Sequence, residues 1–142
     1  MKYVVDCSTA FKWVVQEFDS STAIQLRNDF KAGIHELLAP DLFPTEVANA
    51  LLMAERRKRI QPGDSTLFLL DILQTLPALH SALPDLLPRA HAIAHCSGAS
   101  VYDCLYVALA ECEGCEHVTA DAKLINRLQP IFPFVISLAS LP

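Results

Sequence analysis

With 142 residues and 52% apolar side chains, the chain can bury one sizeable core, which excludes disorder and points to a single domain over residues 1–142. No apolar stretch is long enough to span a bilayer, and Asp6 interrupts any leader of secretory type, so a cytoplasmic protein with no membrane partner is expected. The net charge of −5 argues against a nucleic-acid partner unless the charges are segregated along the chain.

In chain order, "KYVVD" (2–6) is a short β-branched run that predicts a buried strand. "STAFKWVVQEF" (8–18) follows as a helix with Ser8 at its N-cap, and "SSTAIQLRNDFKAG" (20–33) as a second helix ended by Gly33. "HELLAP" (35–40) holds a short strand. "DLFPTEVANALLMAERRKRI" (41–60) is strongly helical, with Pro44 near its first turn and Pro62 beyond its end. "PGDSTLFLLDILQTL" (62–76) reads as a helix, "PALHSAL" (77–83) as a strand, and "PDLLPRAHAIAHCSG" (84–98) as a helix. A further helix runs from Val101 to near Gly114, "HVTAD" (117–121) is strand-like, "AKLINRL" (122–128) is a short helix and "FVISL" (134–138) is a last strand. Strands alternating with helical segments predict an α/β sandwich with a mainly parallel central sheet buried on both faces.

Five cysteines (Cys7, Cys96, Cys104, Cys112, Cys115) in such a chain read as reduced thiols, some of them core filler. The pair in "CEGC" (112–115), with His117 nearby, raises zinc or redox chemistry, but a structural zinc site needs four ligands and no second paired motif exists.

The acids are more informative. From Val101 to Ala110, Asp103 is the only charged residue, in an apolar helix where Tyr106, Val107 and Ala110 leave it no basic partner on its face. Burial of an isolated carboxylate there is costly. Ligand sites of open parallel sheets form beyond the carboxyl ends of the strands. Two predicted strands end there in Asp6 and Asp121, and two predicted helices carry Glu46 and Asp103 near their starts. Taken singly, Asp6 and Asp121 could be helix caps and Glu46 an ordinary first-turn acid. A shared divalent cation would account for all four. Without them the net charge is −1, so the acidity can belong to an ion site, and the basic run "RRKR" (Arg56, Arg57, Lys58, Arg59) is free to meet an anionic substrate or simply to solvate a helix end.

These residues carry a resemblance. "VVDCSTAFKW", "PTEVANAL", "SVYDCLYVALAE" and "VTADAKL" follow the order of motifs in PIN domains, and the chain resembles the toxin nuclease of a VapBC-type toxin–antitoxin pair over essentially its whole length. The resemblance implies a PIN-like three-layer α/β/α sandwich and metal-dependent ribonuclease activity. It assigns Asp6, Glu46, Asp103 and Asp121 to the acidic cluster and metal site, with Ser8 and Thr119 as supporting hydroxyls. Cys7 departs from the Thr or other small residue common at its position. The resemblance also implies an antitoxin partner and a homodimer.

An all-oxygen donor set favours Mg²⁺ or Mn²⁺ over zinc, and RNA phosphodiester hydrolysis is the reaction expected. The alternative of another class is a PIN-like interaction module without catalysis; the presence of all four acids favours the enzyme. A metal-independent nuclease would use histidine as acid and base. Of His35, His80, His91, His95 and His117 only His91 and His95 fall one helical turn apart, so surface or packing roles are expected. A phosphate-accepting signalling domain needs an acidic pair, and "VVDCS" offers one acid.

Overall fold

The computed structural model describes residues 1–142. Five strands, β1 (Lys2–Val5), β2 (Glu36–Pro40), β3 (Ala78–His80), β4 (Glu116–Thr119) and β5 (Val135–Ser137), form one sheet in the order β3-β2-β1-β4-β5. Every pairing is parallel, so the sheet is wholly rather than mainly parallel. Seven helices accompany it: α1 (Cys7–Val14), α2 (Ser20–Lys31), α3 (Phe43–Arg56), α4 (Asp64–Leu73), α5 (Leu86–Ser97), α6 (Val101–Glu113) and α7 (Ala122–Leu128). Tyr3, Val4 and Val5 are buried in succession, which requires cover on both faces of β1 and makes the α/β/α sandwich.

The core explains why the sequence reads as apolar throughout. In α6, every residue from Cys104 to Ala110 is buried, because the helix lies against β1, β2 and β4 on one side and α5 on another. Such a helix shows little amphipathic period, and its acids, Asp103 in the first turn and Glu111 and Glu113 in the last, stand outside that buried run. Gly114 closes α6 in the left-handed region with φ 64°, as the sequence predicts.

Local chemistry shifts several predicted boundaries. Asp6, not Ser8, caps α1, its carboxylate accepting from the Thr9 amide. The helix stops at Val14, since Val15 is extended (φ −110°, ψ 120°), a conformation that suits a β-branched residue. The helix predicted over 41–60 ends at Arg56 in a reversal centred on Lys58, whose φ is 61°.

The strand order positions the site. The chain builds β1, β2 and β3 in one direction, then returns through α5 and α6 to place β4 on the other side of β1. The crevice at that reversal lies beyond the carboxyl ends of β1 and β4, where Asp6 and Asp121 follow their strands.

Candidate active site

One cavity of about 510 Å³ opens at this edge, and Asp6, Glu46, Asp103 and Asp121 all line it. They come from four elements: the ends of β1 and β4 and the first turns of α3 and α6. Capping does not keep these acids from the cavity. Asp6 caps α1 and Asp121 caps α7, accepting from the Lys123 and Leu124 amides, while both face the cavity.

Asp6 is the most constrained of the four. Its Oδ1 accepts from the Ser8 hydroxyl at 2.5 Å and from the Thr9 amide at 3.2 Å; its Oδ2 lies 3.3 Å from His117 Nε2. Ser8 has spent its only proton on Asp6, so the Thr119 hydroxyl, 3.2 Å away, must donate to Ser8 Oγ. Ser8 Oγ also accepts from the Ala120 amide, and Thr119 Oγ1 from the Asp121 amide. The two hydroxyls therefore lock the end of β1 to the end of β4. Burial by itself pushes the Asp6 carboxyl up, but His117 and the two hydroxyls outweigh it and hold the group below its ordinary range.

Glu46 and Asp103 go the other way. Burial is the main cause of a raised pKa at Glu46, with Asp103 and Asp6 adding repulsion; the Tyr106 hydroxyl, donating at 2.7 Å, opposes it. Asp103 is raised by burial first and then by Asp6 and Asp121, against the Ser100 hydroxyl. It is half-buried rather than sunk in the core, because it sits in the first turn of α6 at the cavity wall. Cys7 is no nucleophile: burial, reinforced by Asp6 and Glu46, pushes its thiol up to about 12.

Two participants were not legible in the sequence. His117 is fully buried, stacked on Tyr106 at 5.7 Å between centroids, and tied to Asp6; Tyr106 joins Glu46. Tyr106 sits in an apolar run that reads as core, and His117 in a predicted strand beside "CEGC". Cys112 and Cys115 of "CEGC" are free thiols, and His117, their neighbour in sequence, turns to Asp6. His91 and His95 are exposed on α5.

The basic run is split by its own backbone. The Arg59 amide donates to the Ala54 carbonyl at 2.9 Å and the Lys58 amide to the Glu55 carbonyl at 3.0 Å, the paired closure of a Schellman cap. Lys58 takes the left-handed position usually given to glycine, at a cost of about 1 kcal/mol. Arg57 and Arg59 line the cavity, together with Lys12, whereas Arg56 and Lys58 do not.

For a hard divalent cation the donor chemistry fits: four carboxylates on one cavity, two of them raised partly by the charges of their neighbours. In their present positions no three of them converge closely enough to hold an ion.

A family model described as the PIN domain matches residues 3–128. The chain belongs to the PIN-domain family. This PIN domain is 33% identical over 139 residues to Ribonuclease VapC3 of Pyrobaculum aerophilum, covering 96% of this chain and 99% of that one. In fold it is similar to the crystal structure of PAE2754 from Pyrobaculum aerophilum (TM-score 0.69, 22% identity, 99% of this chain and 85% of that one). It is also similar to VapBC2 from Rickettsia felis, solved bound to a DNA fragment from their promoter (TM-score 0.63, 13% identity, 96% and 97%). No helix of this PIN domain is long and apolar enough to cross a membrane.

Proposed function

We propose that this PIN domain is a metal-dependent endoribonuclease, the toxin of a VapBC-type pair, acting in the cytoplasm. The observation that carries the reading is the gathering of Asp6, Glu46, Asp103 and Asp121 on one cavity at the switch point of the sheet. Similarity to Ribonuclease VapC3 across nearly the whole chain supports the substrate class, and similarity to VapBC2 supports an antitoxin partner.

The four carboxylates would hold Mg²⁺ or Mn²⁺, with Asp6 and Asp103 as direct ligands and Glu46 and Asp121 as further ligands or water-orienting groups. When bound, such an ion activates water and stabilises the charge that develops at the scissile phosphate. The chain's own work is positional. Asp6 has both oxygens engaged by three donors, leaving its free lone pair on the Oδ2 side. Tyr106 fixes one oxygen of Glu46 and leaves the other for the cavity. Ser8 and Thr119 keep the two strand ends, and so Asp6 and Asp121, in a constant relation.

The test is cleavage of a panel of structured RNAs with Mg²⁺, Mn²⁺ or EDTA, followed by analysis of the ends. The expected products carry a 5′-phosphate and a 3′-hydroxyl, only when metal is present. Robust cleavage in EDTA, or a 2′,3′-cyclic phosphate, would overturn the assignment. A homodimer belongs to the same proposal; Leu67 and Leu70 of α4, 64% and 55% exposed, are apolar surface that association would cover. Sedimentation giving only monomer at micromolar concentration, with no co-purifying partner, would remove that part.

A further inference from the structure

The acidic cavity has a basic wall that already holds an anion. Lys12 from α1 and Arg59 from the turn after α3 converge on Glu17: Arg59 Nη2 lies 2.5 Å from Oε2, and Lys12 Nζ 3.6 Å from Oε1. Lys12 also donates to the Phe18 carbonyl at 2.6 Å, and the Arg59 guanidinium sits over the Phe11 ring at 5.5 Å. Arg57 lines the same cavity, and its guanidinium has no ion-pair or hydrogen-bond partner within the chain. Glu17 is pinned at its backbone, its amide donating to the Ser20 hydroxyl at 2.8 Å, and its carboxylate is held only by these two bases.

The sequence sets this wall up at some expense. A lysine in the left-handed position at residue 58 turns the chain so that Arg57 and Arg59 reach the cavity while Arg56 and Lys58 stay outside it. A carboxylate between a guanidinium and an ammonium occupies the kind of position a phosphate takes, and a phosphate brings more acceptor oxygens to the same fork.

We propose that Lys12, Arg57 and Arg59 form a subsite for a backbone phosphate of single-stranded RNA beside the acidic cluster, and that Glu17 occupies this subsite in the free protein until RNA displaces it. The inference rests on the ribonuclease reading and adds to it where the strand lies and what must move. Glu17 then weakens binding of every RNA, whatever its sequence, and sets a threshold against weak substrates.

The test is fluorescence anisotropy with a labelled single-stranded RNA oligonucleotide in EDTA, so that no cleavage intervenes. Glu17→Gln should bind about two- to fivefold tighter, the range that release of an exposed ion pair supports. Arg59→Gln should bind more weakly, with the dependence of log affinity on log salt shallower by about 0.7 for the lost contact. In the Arg59→Gln background, Glu17→Gln should gain less than it does alone, and Arg56→Gln, outside the cavity, should have little effect. Unchanged or weaker binding by a folded Glu17→Gln protein overturns the proposal, as does an Arg56→Gln loss equal to that of Arg59→Gln. Wild-type cleavage with Mn²⁺ is measured beside these: cleavage without a Glu17→Gln gain removes the subsite alone, and absence of both binding and cleavage removes the ribonuclease reading as well.

Discussion

His117 Nε2 lies 3.3 Å from Asp6 Oδ2, and its other ring nitrogen, Nδ1, is buried without a partner. Two lone pairs cannot face each other across that contact, so Nε2 carries a proton, while Nδ1 is a buried polar atom left without a partner. The structure thus tolerates one unsatisfied atom to give Asp6 a fixed donor.

Replacing His117 by Leu should therefore cost more at the site than in the core. Loss of a hydrogen bond to a charged group destabilises by about 1.5–3 kcal/mol. Loss of a ligand's outer partner lowers metal affinity or activity by about 10–100-fold. His117→Gln, which keeps a donor near the same place, should recover much of both. Chemical denaturation and Mn²⁺ titration measure the two effects; equal behaviour of Leu and Gln would show that His117 only fills space.

The same pair fixes the sign of an acid effect. Asp6 is held below its unfolded range, so its contribution to stability is present above the unfolded pKa and is lost as pH falls through the folded one. Without His117, burial dominates and the folded pKa rises. Acid unfolding of His117→Leu should begin at higher pH than that of wild type, as followed by circular dichroism; coincident acid transitions would contradict this.

Asp103→Asn should abolish cleavage while leaving the fold intact. Asp103 is raised by burial and by Asp6 and Asp121, so at neutral pH its charge opposes folding. The neutral isostere removes that opposition, and its melting midpoint in EDTA should exceed that of wild type. Saturating Mn²⁺ should then raise the wild-type midpoint more than the variant's. An Asp103→Asn protein that cuts RNA normally is not missing a ligand.

Protons and metal compete for Glu46 and Asp103. Both carboxyls are raised, so they take up protons at higher pH than ordinary carboxylates do. Metal binding must release those protons, and the Mn²⁺-induced rise in melting midpoint should shrink as pH is lowered from neutral. A shift that stays constant down to the ordinary carboxylate range would exclude these two as ligands.

Lys58→Gly should stabilise the protein by about 1 kcal/mol, because glycine meets no steric penalty in the left-handed position that Lys58 now holds. Urea denaturation measures it. A loss of stability would mean that the lysine side chain does more there than the backbone geometry indicates.

What the sequence determined by itself was local. Short β-branched runs, caps and Gly114 mark where strands and helices begin and end, and Asp6, Glu46, Asp103 and Asp121 stand at those boundaries, where a parallel sheet collects its ligands. The lone charge of Asp103 between Val101 and Ala110 was visible because an acid breaks an otherwise uniform apolar pattern. His117, Tyr106 and Glu17 break no such pattern: a His in a strand, a Tyr in a buried helix and a Glu after a helix are each ordinary. Their roles depend on the sheet order, which pairs β4 with β1 and sets His117 opposite Val4, so that residues 111 positions apart meet at Asp6. Likewise the split of the basic run follows from the backbone angle at Lys58 and from the packing of α1 beside α3, which sets Arg59 over Phe11 and against Glu17. Periodicity records which side of an element is buried, but the partner met there is chosen only when the elements pack.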